Sequence, residues 1–349
     1  MVRPTRGERS REAGMDLFSD SRRSRNVNRR EFLLAAAAAP VALTLGPRVA
    51  SARAVPVGPL ALVTADLESH VAAVRLADAA SVGQIPTGPG PRSIESGGFP
   101  LAVVAHTQHG VVSLLGGSPF RVRRELDGFA EPRYTAVHPS GELAYVTDSR
   151  DRQVVALDLA RGRVLWRVDV PGPARHVSIS SDGRALWTSL GSTARQVAVL
   201  DTTHPRRPRV VATITPPFPA HDVVFSPGGD AVWVSSGSER GVALYARDSR
   251  RPRRVIAADA PPQHIAFGRD EVFVASGDDG TVRRHRLDGT LLGRARVPLD
   301  SYNVTFGRRR VVTPSLGRGT LSILGPDGRV RVVRRVAEAA HDACIVHLS

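Results

Sequence analysis

Four short apolar stretches divided by Gly, Pro, Asp and Ser turns recur seven times at a spacing near 40 residues. They predict an all-β chain, a single seven-bladed β-propeller of four-stranded antiparallel blades. Two further observations point the same way: no segment after residue 60 carries a helical period, and large apolar residues return at one position of the repeat. The clearest unit, RYTAVHPSGELAYVTDSRDRQVVALDLARGRVLWRVD at 133–169, parses into the strands TAVH, LAYVT, QVVALD and RVLWRVD. Counted by first strands, units begin at Arg92, Arg133, Arg175, His221, Gln263, Tyr302 and His341, spaced by 41, 42, 46, 42, 39 and 39 residues. Such a unit cannot bury both faces alone, so the blades must stack around an axis.

Residues 1–54 read as an address with a long basic leading region, and 55–349 as the propeller. Arg29 and Arg30 precede Phe32 and Leu33, then an Ala-rich run to Leu45, then two A-x-A patterns at 50–52 and 52–54. The run is interrupted by Pro40 and falls short of the ~20 residues a membrane span needs. It resembles a twin-arginine (Tat) export signal, which implies an extracytoplasmic destination: periplasmic, cell-wall associated or secreted. Cleavage after Ala52 and after Ala54 both fit, as do starts at Met1 and Met15.

Blade 1, LALVTAD…HVAAVRL…SVGQIP, has second, third and fourth strands but no first strand before it. HDACIVHL, at 341–348, supplies one; paired with 60–65 it would close the ring and remove the exposed edges of an open sheet. In the second strands, Tyr145, Trp187, Trp233 and Phe273 share a repeat position with Leu62, Val103 and Val311 of the weaker copies, which marks blade-to-blade core. Cys344 aligns with Ser178, Val224, Ala266 and Thr305, a place for a small buried residue.

LAYVTDSRDRQVVALDLARGRVLWRVDVPGPARHVSISSDG resembles the YVTN-type propeller repeat, with its aromatic-Val-Thr strand, Val-x-x-x-Asp strand, Pro-bearing link and Ser-x-Asp-Gly turn. The resemblance spans roughly 58–349 and is strongest in blades 3 to 5. It implies a bacterial exported propeller, a group that also resembles lactonase-like and quinoprotein-like propellers. The repeat therefore implies a fold far better than an activity.

All 48 basic residues are Arg, and the formal charge is +15. An Arg-for-Lys bias over the whole of an Ala-rich chain reads as coding composition. The signal segment holds 11 Arg against five acidic residues, so the remainder is nearer +9. An export address makes nucleic acid an unexpected partner. The single cysteine excludes an internal disulfide and a Cys-rich metal site. HExxH, GxSxG and CxxCH motifs are all absent.

Each first strand opens with two polar residues aimed at the mouth of the central channel: Arg92-Ser93, Arg133-Tyr134, Arg175-His176, His221-Asp222, Gln263-His264, Tyr302-Asn303 and His341-Asp342. A solvated funnel accounts for polarity, yet four of the 11 His fall here. Three chemistries fit this ring. Asp222, Asn303 and Asp342, or the four His, could hold a divalent metal for a hydrolase or lactonase. A His base beside an Arg could serve a metal-free lyase. Arg92, Arg133 and Arg175 could clamp a carboxylate or phosphate. The favoured expectation is a non-catalytic binding protein, expected to be a monomer, taking a small ligand, peptide or protein partner at the funnel and needing no cofactor; the alternative is a lactonase-like hydrolase or lyase. On the opposite face, Arg206, Arg207, Arg209, Arg250, Arg251 and Arg253 form an expected basic patch, for solubility or weak contact with an anionic envelope surface.

Overall fold

The computed structural model describes residues 58–97, 101–191 and 195–348, so the Arg29-Arg30 signal lies outside the described residues. The described chain is all-β: seven four-stranded antiparallel sheets follow one another, each running from an inner to an outer strand. The inner strands are Ser93–Ser96, Pro132–Val137, Ala174–Ile179, Val223–Phe225, Ile265–Phe267, Thr305–Gly307 and, for blade 1, Ala340–Leu348. That last strand pairs antiparallel with Gly58–Ala65, setting Leu60 opposite Val346 and Leu62 opposite Cys344. Two segments some 280 residues apart thus share one sheet, and Thr64 Oγ1 donates to Asp342 O at 3.3 Å.

The blade-to-blade core is an aromatic relay. Tyr145, Trp187, Trp233 and Phe273 are each at most 1% exposed. Trp187 meets Phe225 and Tyr245 of the next blade edge-on at 6.0 and 5.6 Å. Trp233 does the same with Phe267 and His285 at 5.7 and 6.1 Å, and Phe273 stacks on Phe306 at 5.9 Å. Each ring leaves its own second strand and covers the inner strand of its neighbour, which neither blade could bury alone.

Blade 7 departs from the sequence alignment by one residue. Val312, not Val311, sits opposite Ile323 at the position equivalent to Phe273 opposite Arg284. Thr305 pairs with Val312 as Ala266 does with Phe273 and Cys344 with Leu62, so in the first strand Thr305 is the counterpart of Cys344. The turn after Gly307 holds only Arg308 and Arg309, both at positive φ (49° and 58°), a tight primed hairpin built without glycine.

Inner strands of neighbouring blades belong to separate sheets, so side chains tie their backbones together. Four ties come from one repeat position. Thr64 donates to Arg92 O (2.9 Å), Thr147 to Arg175 O (2.6 Å), Ser189 to His221 O (2.8 Å) and Ser235 to Gln263 O. Where that position is Ala or Pro, other groups substitute. Ser93 Oγ donates to Arg133 O, His264 N to Tyr302 O at 3.4 Å, and Asn303 Nδ2 to His341 O at 2.7 Å.

The outer strands are defended too. In all seven blades the register between third and outer strand slips at the same point, leaving Val82, Arg123, Leu165, Val211, Arg253, Leu292 and Arg331 as extra outer-strand residues. Such bulges twist an edge away from flat pairing, and exposed arginines on the outer strands of blades 2, 5, 6 and 7 add charge to it.

Removing residues 341–349 should abolish the single cooperative melting transition, since blade 1 then loses its inner strand; a truncated protein melting like the full chain would show the strand to be dispensable. Trp233→Ala should lower unfolding free energy by about 3–5 kcal/mol in denaturant titration, as expected when a fully buried aromatic is truncated.

Candidate functional site

The inner strands enclose a cavity of about 330 Å³ along the axis, lined from all seven blades. Its polar end carries Tyr134, His176, Asp222, His264, Asn303 and Asp342. Further along the strands come Glu95, Val137, Ile179, Phe267 and Phe306. The second residue of each sequence pair, Ser93 apart, therefore reaches the cavity. The first residues, Arg92, Arg133, Arg175, His221, Tyr302 and His341, do not line it.

The rings at the polar end converge on one another. His176 Nε2 and His264 Nε2 face each other at 3.2 Å, although their blades are not neighbours. Tyr134 packs on His176 with centroids 4.0 Å apart, and its hydroxyl lies 3.5 Å from His264 Nε2. His221 joins the cluster 4.4 Å from the His176 ring. It fits because the backbone behind it is Gly237 at φ +71°, where a β-carbon would fall 2.6 Å from His221 Cβ. Gly237 carried no signal in the sequence; only its approach to His221 identifies it.

Other named residues are committed elsewhere. Arg92 pairs with Asp66 at 2.9 Å, and Arg133 with Glu131. Tyr302 donates towards Asp278 and Asp300, both at 3.2 Å, and His341 Nδ1 contacts Arg92 O at 2.9 Å. Asp222 and Asp342 act as paired junction clamps. Asp222 accepts the Val223 and Ile265 amides, both at 2.9 Å, and Asp342 accepts those of Ala343 and Ile94 at 2.8 and 3.0 Å.

Arg175 is the exception among the arginines. No carboxylate pairs with it among the described residues, and its Nε is buried without a hydrogen-bond partner. Burial pulls its guanidinium below the usual arginine range. Its charge in turn bears on His176, His221, His264 and His341. Desolvation is the main reason these four rings stay neutral; His264 falls to about 3 and the other three well below the ordinary imidazole value. Desolvation also raises Asp222 and Asp342 to about 7 against their two amide donors each, and Tyr134 to about 12. Glu95, missed by the sequence reading, is enclosed by the inner strands yet touched by channel solvent; enclosure first and Asp342 second push its carboxyl upward.

The six arginines of the expected basic patch are all exposed, Arg206, Arg207, Arg250 and Arg251 in the third-to-fourth strand loops of blades 4 and 5 and Arg209 and Arg253 at the start of the outer strands that follow. Arg209 pairs with Asp201 at 2.8 Å, Arg206 approaches Asp158 at 3.6 Å, and Arg207 lies 5.2 Å over the Trp166 ring. Arg250, Arg251 and Arg253 have no ion pair among the described residues. About half of the patch is thus engaged within its own molecule, as suits a solvated surface.

The fold is similar to the crystal structure of a functionally unknown protein from Desulfotomaculum acetoxidans DSM 771, with TM-score 0.75 and 13% identity over 84% of this chain and 100% of that one. It is also similar to Kuenenia stuttgartiensis hydrazine synthase, with TM-score 0.59 and 19% identity over 68% and 77% of the two chains. At these identities the likeness is one of fold alone. No protein-family model and no curated protein matches the sequence.

The neutral rings carry a pH consequence. As pH falls through about 6.5, the unfolded chain binds protons on His176, His221, His264 and His341 while the native rings stay neutral, so stability falls with acidification. Asp222 and Asp342 oppose this, holding native protons up to about 7 where unfolded carboxyls have released them; below about pH 4 that offset ends. Melting temperature measured in chelating buffer should decline gently from about pH 6.5 to 4 and steeply below 4. A flat profile down to pH 3 would mean the native rings are already charged.

Proposed function

We propose that this chain is an exported, non-catalytic binding propeller that holds a small carboxylate- or phosphate-bearing ligand at the polar end of its central channel. The observation that carries this reading is Arg175, a half-buried guanidinium whose Nε is buried without a hydrogen-bond partner and which has no carboxylate partner among the described residues, beside a ring of neutral donors. A charge drawn partly out of water and left unpaired is costly, and an anion entering from the mouth offsets that cost through charge-assisted hydrogen bonds. The Tyr134 hydroxyl and the imidazole N–H groups supply neutral donors that attract an anion without competing for it. The adjoining cavity of about 330 Å³, lined by Tyr134, His176 and His264 though not by Arg175 itself, suits a small molecule rather than a peptide helix or a strand. Export rests on the Arg29-Arg30 signal resemblance, and the basic loops of blades 4 and 5 would at most add weak contact with an anionic envelope surface.

One observation favours the hydrolase alternative: the convergence of three imidazoles, which a metal-dependent lactonase would need. Lactone turnover that is lost with chelator would decide for it.

For the binding reading, chelator-treated protein is melted with phosphate, sulfate or succinate at constant ionic strength. At least one anion should raise the melting temperature, since ligand at 100 times its dissociation constant stabilises by about 2.7 kcal/mol. Arg175→Gln should weaken that anion's binding at least tenfold, the loss expected for a charge-assisted contact. No shift with any anion, or an equal shift in Arg175→Gln, overturns the reading.

A further inference from the structure

The geometry points to a transition-metal site formed by His176, His221 and His264, one imidazole from each of blades 4, 5 and 6. The inference rests on these three rings and holds whether or not Arg175 binds an anion.

The ligand nitrogens of the three residues all lie within 4.8 Å of one another. The His176–His264 separation is more telling. With zinc–nitrogen bonds of about 2.0–2.1 Å, two imidazoles on a tetrahedral ion stand about 3.3 Å apart; here the two Nε2 atoms are 3.2 Å apart. These two rings therefore already hold a chelating spacing. His221 is the third ring of the set, and it fits where it stands because Gly237 has no side chain.

The surroundings match those of a ligand shell. His264 turns its second nitrogen, Nδ1, towards Asp222 Oδ2 at 3.7 Å. Asp222 is itself held by two backbone amides, so it is a fixed outer carboxylate of the kind that orients a metal-bound imidazole. His176 is 1% exposed, and its Nδ1 is buried with no hydrogen-bond partner. The contacts that hold the ring are the approach of its Nε2 to His264 and the packing of Tyr134 and His221 against it. Simple repetition of the blade does not explain the trio, because His176 and His264 occupy the second position of their pairs and His221 the first.

The donor set also selects the ion. Three imidazoles with no carboxylate among the ligating atoms suit zinc, copper, nickel, cobalt or ferrous iron, and are poor ligands for calcium or magnesium. Three protein ligands leave a fourth position open, and the Tyr134 hydroxyl, 3.5 Å from His264 Nε2, stands beside it. Arg175 opposes a bare dication, while Asp222 and Asp342 at the same level of the channel offset it.

The test uses the purified chain, stripped with chelator and titrated with Co²⁺ and then Zn²⁺. The expected result is one ion per chain, with the visible absorption of four-coordinate cobalt and its displacement by zinc. Zn²⁺ should raise the melting temperature, whereas equal Mg²⁺ or Ca²⁺ should not. Asp222→Asn should weaken zinc binding about 10–100-fold, and His176→Gln or His264→Gln more than that. Melting curves of each variant establish that it folds; where one does not, the zinc-against-magnesium contrast in the unaltered chain decides. Substoichiometric binding, a magnesium effect equal to that of zinc, or unchanged affinity in a folded His176→Gln or His264→Gln overturns the site. Because anion binding is measured with chelator present, failure here leaves that reading standing, and the reverse also holds.

Discussion

A four-stranded blade has two apolar faces and can cover neither, and the rest of this molecule answers that constraint. The cover for each blade is the next blade, so the structure is stable only if every junction is made, including the one where the chain must return to its first sheet. Packing supplies the bulk of each junction: Trp187, Trp233 and Phe273 leave one blade to bury the inner strand of the next. Direction comes from single hydrogen bonds at the axis, where Thr64, Thr147, Ser189 and Ser235 reach across to a neighbouring carbonyl. Those bonds set how far apart the inner strands stand, and so the width of the channel.

The candidate site is a by-product of the same geometry. Inner strands converge at the axis, so side chains from non-adjacent blades meet there, as His176 of blade 4 and His264 of blade 6 do. Burial at that point keeps the imidazoles neutral and raises the Asp222 and Asp342 carboxyls to about 7. Neutral rings can accept a metal ion or donate to an anion, and the Arg175 guanidinium biases the potential around all four of them.

Much of the fold was legible because a propeller repeats its constraints. The position of Trp187 returns as Trp233 and Phe273, and as Leu62, Val103 and Val312 in other blades, since every junction needs a large apolar side chain there, and a spacing near 40 residues follows from four short strands and their turns. What could not be read were events local to one blade or across the axis. The tight turn of blade 7 has Arg308 and Arg309 at positive φ, which their identity does not advertise. The outer-strand bulges leave no mark in the hydrophobic pattern either, because an exposed edge accepts Val82 and Arg331 alike. The polar pairs at the mouth were found together, yet sorting them required distances. Asn303 ties a junction, Tyr302 turns to two aspartates, and Gly237 matters only because His221 lies against it.

The shared sheet of blade 1 also orders events in time. Thr64 and Asp342, 278 residues apart, exchange hydrogen bonds that no shorter segment can form. Contacts of such sequence separation are slow to form, since so much chain must be confined before they contribute. During synthesis blades 2 to 7 can assemble in order, but blade 1 stays a three-stranded sheet with a raw apolar edge until residue 348 is available. The same three blade-1 strands are among the earliest made, and so wait longest for their partner. Folding of this ring is therefore completed only after translation has passed its final strand, and any factor that shields a nascent edge would find its target at residues 58–65.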